Sequence, residues 1–243
     1  MTDKALVCAI DVGTGGTRTA IFDAVTGNML AQSYREYASM FPRPAWVEQR
    51  AEDWWETALQ LSPVLLRAKP NSAHIMLAKL EQMGRLQWVV TQNIDALHQR
   101  AGSKLVLEVH GSMLSATCTL CQLKVDRSDL ERALRKRQIP PTCPACGGIL
   151  KVDAVFFGES LPREIFGLAL RAARDCQLML VVGSSLTVYP VDTLPSIAKE
   201  RGASVVIINE EPTPLDDMAD VAIRGEAGET LTRVVKIVEK NAR

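Results

Sequence analysis

Two Cys-x-x-Cys pairs place the strongest constraint on how this chain of 243 residues can fold. The pairs are Cys118 with Cys121 and Cys143 with Cys146, and 21 residues separate them. Paired thiols at this spacing favour a metal site over two disulfides in a reducing cytosol, with a redox motif as the alternative. Zinc prefers four thiolates in a tetrahedron, and each pair supplies two of them from one turn. The pattern therefore predicts one structural Zn²⁺ ion, since no histidine accompanies the four cysteines.

Charge and hydropathy exclude several classes of protein. The chain has 28 Lys and Arg against 28 Asp and Glu, a balance that argues against direct binding of nucleic acid through phosphate neutralisation. No apolar run approaches the length of about 18 residues that a membrane span needs. The first residues make a poor signal peptide, because Asp11 interrupts their apolar run. These observations predict a cytoplasmic protein that does not interact with membranes.

Short apolar runs alternate with helical patterns along most of the chain, which predicts an α/β fold with a parallel sheet. The predicted strands span 5–10, 87–91, 105–109, 178–183, 204–208 and 220–224. The predicted helices span 72–84, 95–101, 163–175, 191–201 and 228–241. Residues 111–158 break the alternation, because they contain the four cysteines around a charged helical stretch at 126–137. We therefore expect a small zinc module inserted into the sheet domain.

Polar residues follow four of the predicted strands directly, where a doubly wound sheet binds its ligands. The segment Gln92-Asn93-Ile94-Asp95 follows the second strand and His110 follows the third. Gly183-Ser184-Ser185 and Asn209-Glu210 follow the next two. Turn-forming residues alone explain any one of these segments. Together they predict one crevice that presents amide, imidazole, hydroxyl and carboxyl groups.

Seven further segments, taken in order, resemble the sirtuins, the Sir2 family of NAD-dependent protein deacylases. They are PNSAH at 70–74, TQNIDALHQRAG at 91–102, HG at 110–111, VFFGESLP at 155–162, VVGSSLTVYP at 181–190, IINEEPTP at 207–214 and ADVAIRGEAGETL at 219–231. The resemblance covers about residues 62–243 and includes the cysteine pairs. It implies a Rossmann-like parallel sheet domain with an inserted zinc ribbon, NAD as cofactor and acylated lysine in a protein or peptide as substrate.

The resemblance assigns the catalytic base to His110. In sirtuin chemistry the acyl oxygen of the substrate attacks the ribose carbon that carries nicotinamide, and nicotinamide leaves. His110 would then help to deprotonate a ribose hydroxyl, so that free lysine and O-acyl-ADP-ribose result. A neutral imidazole suits such a proton transfer. Without the flanking motifs, a histidine at a strand end is better explained by a hydrogen bond to the backbone.

The resemblance also assigns residues to cofactor and substrate. The cofactor residues are Gln92, Asn93, Ile94, Asp95, Gly183, Ser184, Ser185, Asn209, Glu210 and Ala227, and the peptide-binding residues are Val155, Phe156, Phe157 and Gly158. Peptide binding would occur by strand addition. Simpler explanations remain: a helix N-cap for Asn93 and Asp95, and a core strand for the Val-Phe-Phe run. His74 and His98 are predicted to be structural.

The first 61 residues form an atypical segment that resembles instead the amino terminus of FGGY-type carbohydrate kinases. There, Asp11, Gly13 and Thr14 would match residues that handle ATP phosphates and metal. The glycine-rich turn precedes an alternating run at 17–22, which predicts a hairpin rather than the helix of a dinucleotide-binding turn. The first parallel strand of the sirtuin-like domain is then either supplied by 5–10 or missing.

Three functions are compatible with these observations. The first is an NAD-dependent protein deacetylase, a transferase of acyl groups. The second is a catalytically impaired sirtuin-like module that binds ADP-ribose or acyl-peptide, because the usual amino-terminal cofactor loop is absent. The third and most remote is a truncated carbohydrate kinase, which would need a second lobe that does not follow residue 60.

Overall fold

A computed structural model describes residues 6–13, 16–23, 29–36, 68–126, 128–130, 132, 140–156 and 159–241, the first three ranges as backbone strands only. The chain divides into two compact units. One comprises residues 1–69 and 112–159, and the other comprises residues 70–111 and 160–243. In the described ranges, no helix is both long and apolar enough to cross a membrane.

Eleven strands and five longer helices organise the described residues. The strands are β1 (Leu6–Gly13), β2 (Gly16–Asp23), β3 (Met29–Glu36), β4 (Val89–Thr91), β5 (Val106–Glu108), β6 (Ser115–Cys118), β7 (Lys124–Asp126), β8 (Leu150–Val152), β9 (Leu178–Val182), β10 (Ser204–Asn209) and β11 (Val221–Arg224). The helices are α1 (Ser72–Gln82), α2 (Leu97–Ala101), α3 (Arg163–Asp175), α4 (Leu194–Glu200) and α5 (Ala227–Asn241). Short 3-10 turns span Val191–Thr193 and Asp216–Met218.

The unit of residues 70–111 and 160–243 contains the parallel strands that the sequence predicts. β4 pairs in parallel with β5, and β10 pairs in parallel with both β9 and β11. β10 is buried through Val205, Ile207 and Ile208, as expected for a strand with neighbours on both edges and helices on its faces. The Rossmann-like α/β class is confirmed.

Helices pack against these strands through two apolar clusters. In the first, Ala169 and Ala173 of α3 contact Leu107 of β5 and Leu194 of α4. In the second, Ala73 of α1 and Leu231 of α5 contact Ile208 of β10. Small residues on α3 allow its backbone to approach the sheet closely, and the apolar contacts supply most of the stabilisation.

The first described strands form an antiparallel meander in the order β1-β2-β3. Leu6 lies opposite Asp23 and Gly13 lies opposite Gly16, so the glycine-rich turn leads into a returning strand. The predicted hairpin is therefore confirmed. The expectation that residues 5–10 supply the first parallel strand is wrong, because β1 pairs antiparallel with β2. Thr14 and the predicted domain boundary at residues 61–62 lie outside the described residues.

The zinc module is a second antiparallel sheet in the order β7-β6-β8. Ala116 is fully buried at its centre, and Val125 and Val152 are also buried. Thr142 and Ile149 form one further antiparallel bridge beside the second cysteine pair. Of the helix predicted at 126–137, Ser128–Leu130 and Arg132 are helical, and 127, 131 and 133–137 lie outside the described residues.

Candidate active site

The segment between β4 and α2 is held by local hydrogen bonds. The Asn93 amide donates to Thr91 Oγ1 (3.1 Å), and the Leu97 amide donates to Asp95 Oδ1 (2.9 Å). Ala96 has a positive φ of 55°, which turns the chain sharply into α2. Asp95 thus closes a local turn ahead of α2. The N-cap position is Ala96, which makes no side-chain capping bond, so the N-cap alternative for Asp95 is wrong and the helix predicted from 95 begins at Leu97. Asn93 stays exposed, and Gln92 and Ile94 are half-buried.

His110 lies just beyond β5 and contacts the segment after β4. Its Nδ1 lies 3.2 Å from the backbone oxygen of Gln92. Donation from Nδ1–H to this carbonyl fixes the neutral tautomer in which Nε2 carries the lone pair. Burial lowers the pKa of His110 below 6.5, although the bond to Gln92 opposes this shift. The half-buried ring is therefore a neutral base near pH 7.

The turn after β9 is open on its outer side. Gly183 has a φ of +59°, and apart from its own chain neighbours no described atom lies within 4 Å of where its Cβ would be. Its amide donates to the Ile208 carbonyl of β10 (2.9 Å), which joins the ends of the two strands. The Leu186 amide donates to Ser184 Oγ (3.3 Å), and the Ser185 hydroxyl lies 2.9 Å from that of Thr187. The turn leaves space for a ligand to approach the backbone closely.

The end of β10 presents an amide and a carboxylate. Asn209 Nδ2 donates to the Glu211 carbonyl (2.8 Å), while the Glu210 side chain is exposed. Ala227 begins α5 and is half-buried. The carboxylate of Glu226 accepts hydrogen bonds from the Gly228 amide (2.9 Å) and the Glu229 amide (2.5 Å), so it caps this helix.

The four cysteines of the zinc module lie together. Their sulfur atoms are all within 4.8 Å of one another. Cys118 Sγ lies 3.5 Å from Cys146 Sγ, and Cys121 Sγ lies 3.6 Å from Cys143 Sγ. A tetrahedral zinc ion with Zn–S bonds of about 2.3 Å needs sulfurs roughly 3.8 Å apart. The cysteines therefore fit one Zn²⁺ ion, and the backbone N–H of Cys121 lowers the pKa of the Cys118 thiol to about 6.

The segment assigned to peptide binding is partly described. β8 ends at Val152, and Val155 and Phe156 follow it outside any strand. The Phe156 amide donates to the Glu159 carboxylate (3.0 Å), and Lys151 Nζ lies 4.8 Å from the centre of the Phe156 ring. Phe157 and Gly158 lie outside the described residues. This segment belongs to the other unit than His110.

His74 and His98 form a ring contact, and both lie near enough to Asp95 for its negative charge to act on their pKa values. His74 closes the capping box of α1: its amide donates to Asn71 Oδ1 (3.1 Å), and its Nδ1 lies 2.5 Å from the same oxygen. The centres of the two imidazole rings are 4.7 Å apart. These contacts agree with the predicted structural role.

Arg224 and Asp216 were not singled out from the sequence. Arg224 ends β11 beside Asn209, its register partner in β10, and its guanidinium binds the Asp216 carboxylate. Asn209 was singled out because it is a polar residue directly after an apolar run. Arg224 meets the same criterion, because it directly follows the short apolar run of β11.

The described strand ends provide the groups that NAD needs: an open glycine turn, half-buried amide and carboxylate groups, and a neutral imidazole. His110 and Gln92 meet at one pair of strands, and Gly183 and Asn209 lie at the ends of the neighbouring strands β9 and β10. The donor set therefore fits a dinucleotide.

Comparisons with known proteins point in the same direction. The profile described as "Sir2 family" matches residues 28–190. "NAD-dependent protein deacylase 2" of Pyrobaculum aerophilum is 45% identical over 181 residues, which is 74% of this chain and 70% of that protein. "NAD-dependent protein deacetylase" of Saccharolobus solfataricus is 38% identical over 207 residues, or 85% of this chain and 83% of that protein.

A solved structure has the same fold. The structure described as "Sir2-p53 peptide-NAD+" has a TM-score of 0.73 and 39% sequence identity to this chain. The match covers 77% of this chain and 78% of that one.

Proposed function

The chain belongs to the Sir2 family, and from this we propose that it is an NAD-dependent protein lysine deacylase. Its products are the free lysine, nicotinamide and O-acyl-ADP-ribose. Relatives with more than 40% identity are named NAD-dependent protein deacylases and deacetylases, and a similar solved structure is named for its peptide and NAD. Acylated lysine in a protein or peptide is therefore the substrate class.

The contact between His110 and Gln92 is the main structural support for this proposal. Bound NAD supplies the ribose carbon that loses nicotinamide and receives the acyl oxygen. The chain itself contributes an imidazole held neutral by burial and oriented through Nδ1. The lone pair at Nε2 is then free to take a proton from a ribose hydroxyl. Such general base catalysis is typically worth about 10²–10⁴-fold in rate.

The remaining proposed contacts follow the strand ends. Gln92, Asn93, Ile94 and Asp95 face the nicotinamide and its ribose, and Gly183, Ser184 and Ser185 approach the cofactor through their backbone. Asn209 and Glu210 accept the hydroxyls of the adenosine ribose, and Ala227 lies against the adenine. Val155 and Phe156, with Phe157 and Gly158, pair with the extended peptide.

The test is product analysis with a His110 variant. Purified protein is incubated with NAD and an acetyl-lysine peptide, and O-acetyl-ADP-ribose is measured by mass spectrometry. We expect product from the parent and a loss of at least about 100-fold in His110→Ala. The rate of the parent should fall as pH decreases through a pKa below 6.5, because protonation occupies Nε2. Equal product from parent and variant would exclude His110 as the base.

A catalytically impaired module is the second candidate, favoured by one observation. β1 turns back into β2, so its glycine-rich turn does not lead into a helix that could hold a pyrophosphate. A folded parent that binds ADP-ribose but releases no nicotinamide would identify this module.

We also propose that residues 1–61 form an atypical segment related to the amino terminus of FGGY-type kinases, followed by the sirtuin-like domain at 62–243. The Sir2 family profile overlaps this segment from residue 28. The protein is further proposed to act as a transferase in the cytoplasm. The β1–β2 hairpin supports the kinase resemblance. The cytoplasmic location is tested by imaging the tagged protein in cells.

A further inference from the structure

A charged network closes the carboxyl end of β10 and β11, next to the proposed site of the adenosine ribose. Asn209 and Arg224 are register partners on these strands. Asn209 Nδ2 (2.8 Å) and Arg224 Nη1 (3.2 Å) both donate to the carbonyl oxygen of Glu211. The guanidinium therefore lies on the same side of the sheet as the Asn209 amide and close to it.

Asp216 fixes the other side of this guanidinium. Arg224 Nη2 donates to Asp216 Oδ2. Asp216 is itself held by the Thr213 amide (2.9 Å) and the Thr213 hydroxyl (2.7 Å). Its side chain is 17% exposed, whereas that of Arg224 is 41% exposed. The carboxylate is thus a fixed anchor, and the arginine is the more accessible partner.

Three carboxylates lie in or beside this network with Arg224. Asp216 offsets the charge of Arg224, and Glu210 and Glu211 add two exposed negative charges. A phosphate on the adenosine ribose would bring a charge of about −2 into this region. Sites that accept a 2′-phosphate offer an arginine, whereas sites that bind the free 2′-hydroxyl offer an acidic group. In this structure both terminal nitrogens of Arg224 already donate hydrogen bonds, Nη1 to the Glu211 carbonyl and Nη2 to the Asp216 carboxylate.

We propose that Asp216, by holding Arg224, makes the site select a dinucleotide with a free adenosine 2′-hydroxyl against one with a 2′-phosphate. Asp216 is a specificity-determining residue that acts through Arg224 and does not touch the reacting atoms. The inference rests on the proposed function for the position of the ribose. It goes beyond that function because it names the residues that discriminate between two cofactors.

Calorimetric binding of 5′-AMP and adenosine 2′,5′-bisphosphate tests this inference without any catalytic step. We expect the parent to bind 5′-AMP at least about tenfold more tightly, because the carboxylates repel the second phosphate. In Asp216→Asn the guanidinium is released, and the ratio should move at least about tenfold toward the bisphosphate, as expected for a new charge-assisted pair. Added salt should reverse this gain.

Asp217→Asn is the matched control, because it removes the same charge from the next residue of the same 3-10 turn. It should move the ratio less than about twofold, since an exposed charge without a direct contact is screened. The double variant Asp216→Asn with Arg224→Gln should lose the gain of the single variant. Asp216→Ser, which keeps a hydrogen-bonding group beside Thr213, replaces Asp216→Asn if thermal unfolding shows that the latter does not fold.

Two results would overturn the inference. One is an unchanged ratio in a folded Asp216 variant, and the other is an equal shift in the Asp216 and Asp217 variants. Both leave the proposed function standing, because 5′-AMP still binds. If the folded parent binds neither 5′-AMP nor ADP-ribose, the inference and the proposed function fail together.

Discussion

The imidazole ring of His98 shows how the fold controls the charge of a single residue. Its Nδ1 is buried and, within the described chain, has no hydrogen-bond partner. Burial lowers the pKa of His98 to about 4, and the neighbouring His74 adds to this effect. Asp95 opposes the shift without reversing it. Near neutral pH both rings therefore pack as uncharged groups.

This lowered pKa predicts a loss of stability in acid. In the unfolded chain His98 has a pKa near 6.5, so between pH 6.5 and 4 the unfolded state binds more protons than the folded one. The free energy of unfolding should therefore fall as pH decreases through this window. We expect a loss of about 1–2 kcal/mol from His98, allowing for the partial exposure of its ring.

Urea unfolding of the parent and of His98→Gln at pH 7 and pH 4.5 measures this effect. The variant should lose less stability than the parent over the same change in pH, because residue 98 then carries no imidazole that must stay neutral in the folded state. Identical losses in the two proteins would show that carboxylates and His74 account for the acid sensitivity.

At the residue scale, the sequence predicted which polar residues follow a strand better than it predicted side-chain contacts. His110 and Asn209 could be found because a polar residue after an apolar run marks a strand end. The bond between Arg224 and Asp216 could not be predicted, because it joins the last residue of β11 to the 3-10 turn that precedes that strand, and their approach depends on the fold. The turn that Asp95 closes ahead of α2 was not foreseen, because the sequence suggested only an N-cap or a ligand contact for this residue.

At the level of elements, the bounds of long periodic helices were predicted within a few residues, and the bounds of short helices were predicted less well. α3 was predicted at 163–175 and observed at Arg163–Asp175. The helix predicted at 191–201 is instead a 3-10 turn followed by α4 at Leu194–Glu200, with Pro195 in its first turn. Proline suits the start of a helix, so it marks the point where α4 begins.

The contact between α1 and α5 depends on a glycine. A Cβ at Gly228 would lie 2.0 Å from Ser72 Oγ and 3.1 Å from Ser72 Cβ. We expect Gly228→Ala to destabilise the protein by about 1–3 kcal/mol, because the two helices must move apart. Thermal unfolding of Gly228→Ala and of Gly228→Ala with Ser72→Gly measures this cost.

The second substitution should restore most of the stability, because it removes the two Ser72 atoms that the new methyl group meets; Glu226 Oε1, 3.0 Å from the same position, stays in both variants. Ser72→Gly alone serves as the control for its own effect on α1. If the double variant is as unstable as the sum of the two singles, the helices do not meet at this point.

Zinc is expected to stabilise the β7-β6-β8 sheet, because Cys118 ends β6 and its sulfur lies within 4.8 Å of those of Cys121, Cys143 and Cys146. The purified protein should contain one zinc ion per chain by elemental analysis. Cys143→Ser should abolish zinc binding and lower the unfolding temperature, because structural zinc contributes directly to folding. Strong chelators should do the same to the parent.

Cys176→Ser is the matched control, since Cys176 lies at the end of α3 and outside the cluster. It should keep its zinc. Full stability of Cys143→Ser after metal loss would mean that the β-sheet of the module folds without the ion.

For the whole molecule, alternation of strands and helices was enough to predict an α/β fold interrupted by a zinc module. The pairing of the first sixty residues was harder to predict. Leu6–Gly13 is an apolar run that ends at a glycine turn. The first strand of a dinucleotide-binding sheet has the same sequence pattern. The residues after the turn decide between the two folds. The β-branched, alternating residues of β2 favour a returning strand, and the structure has an antiparallel hairpin there.

This topology predicts that the glycine turn between β1 and β2 and the one after β9 contribute unequally to cofactor binding. The turn between Gly13 and Gly16 leads into β2, so it offers no helix terminus to a pyrophosphate. Gly183 lies at the end of β9 with a φ of +59° and open space beside it. Calorimetry with ADP-ribose should find that Gly16→Val changes the dissociation constant less than about twofold, whereas Gly183→Val weakens binding at least about tenfold, because a β-branched residue resists positive φ and fills the approach.

Both variants are compared at equal folded fractions, established by thermal unfolding, so that a loss of stability is not mistaken for a loss of affinity. If Gly16→Val weakens ADP-ribose binding as much as Gly183→Val, the hairpin takes part in the cofactor site despite its antiparallel pairing. The proposed deacylase would then use a phosphate-binding turn of a different geometry from a strand–turn–helix. If only Gly183→Val weakens binding, the affinity comes from the ends of the parallel strands, among them the end of β9 beside that of β10 with Asn209.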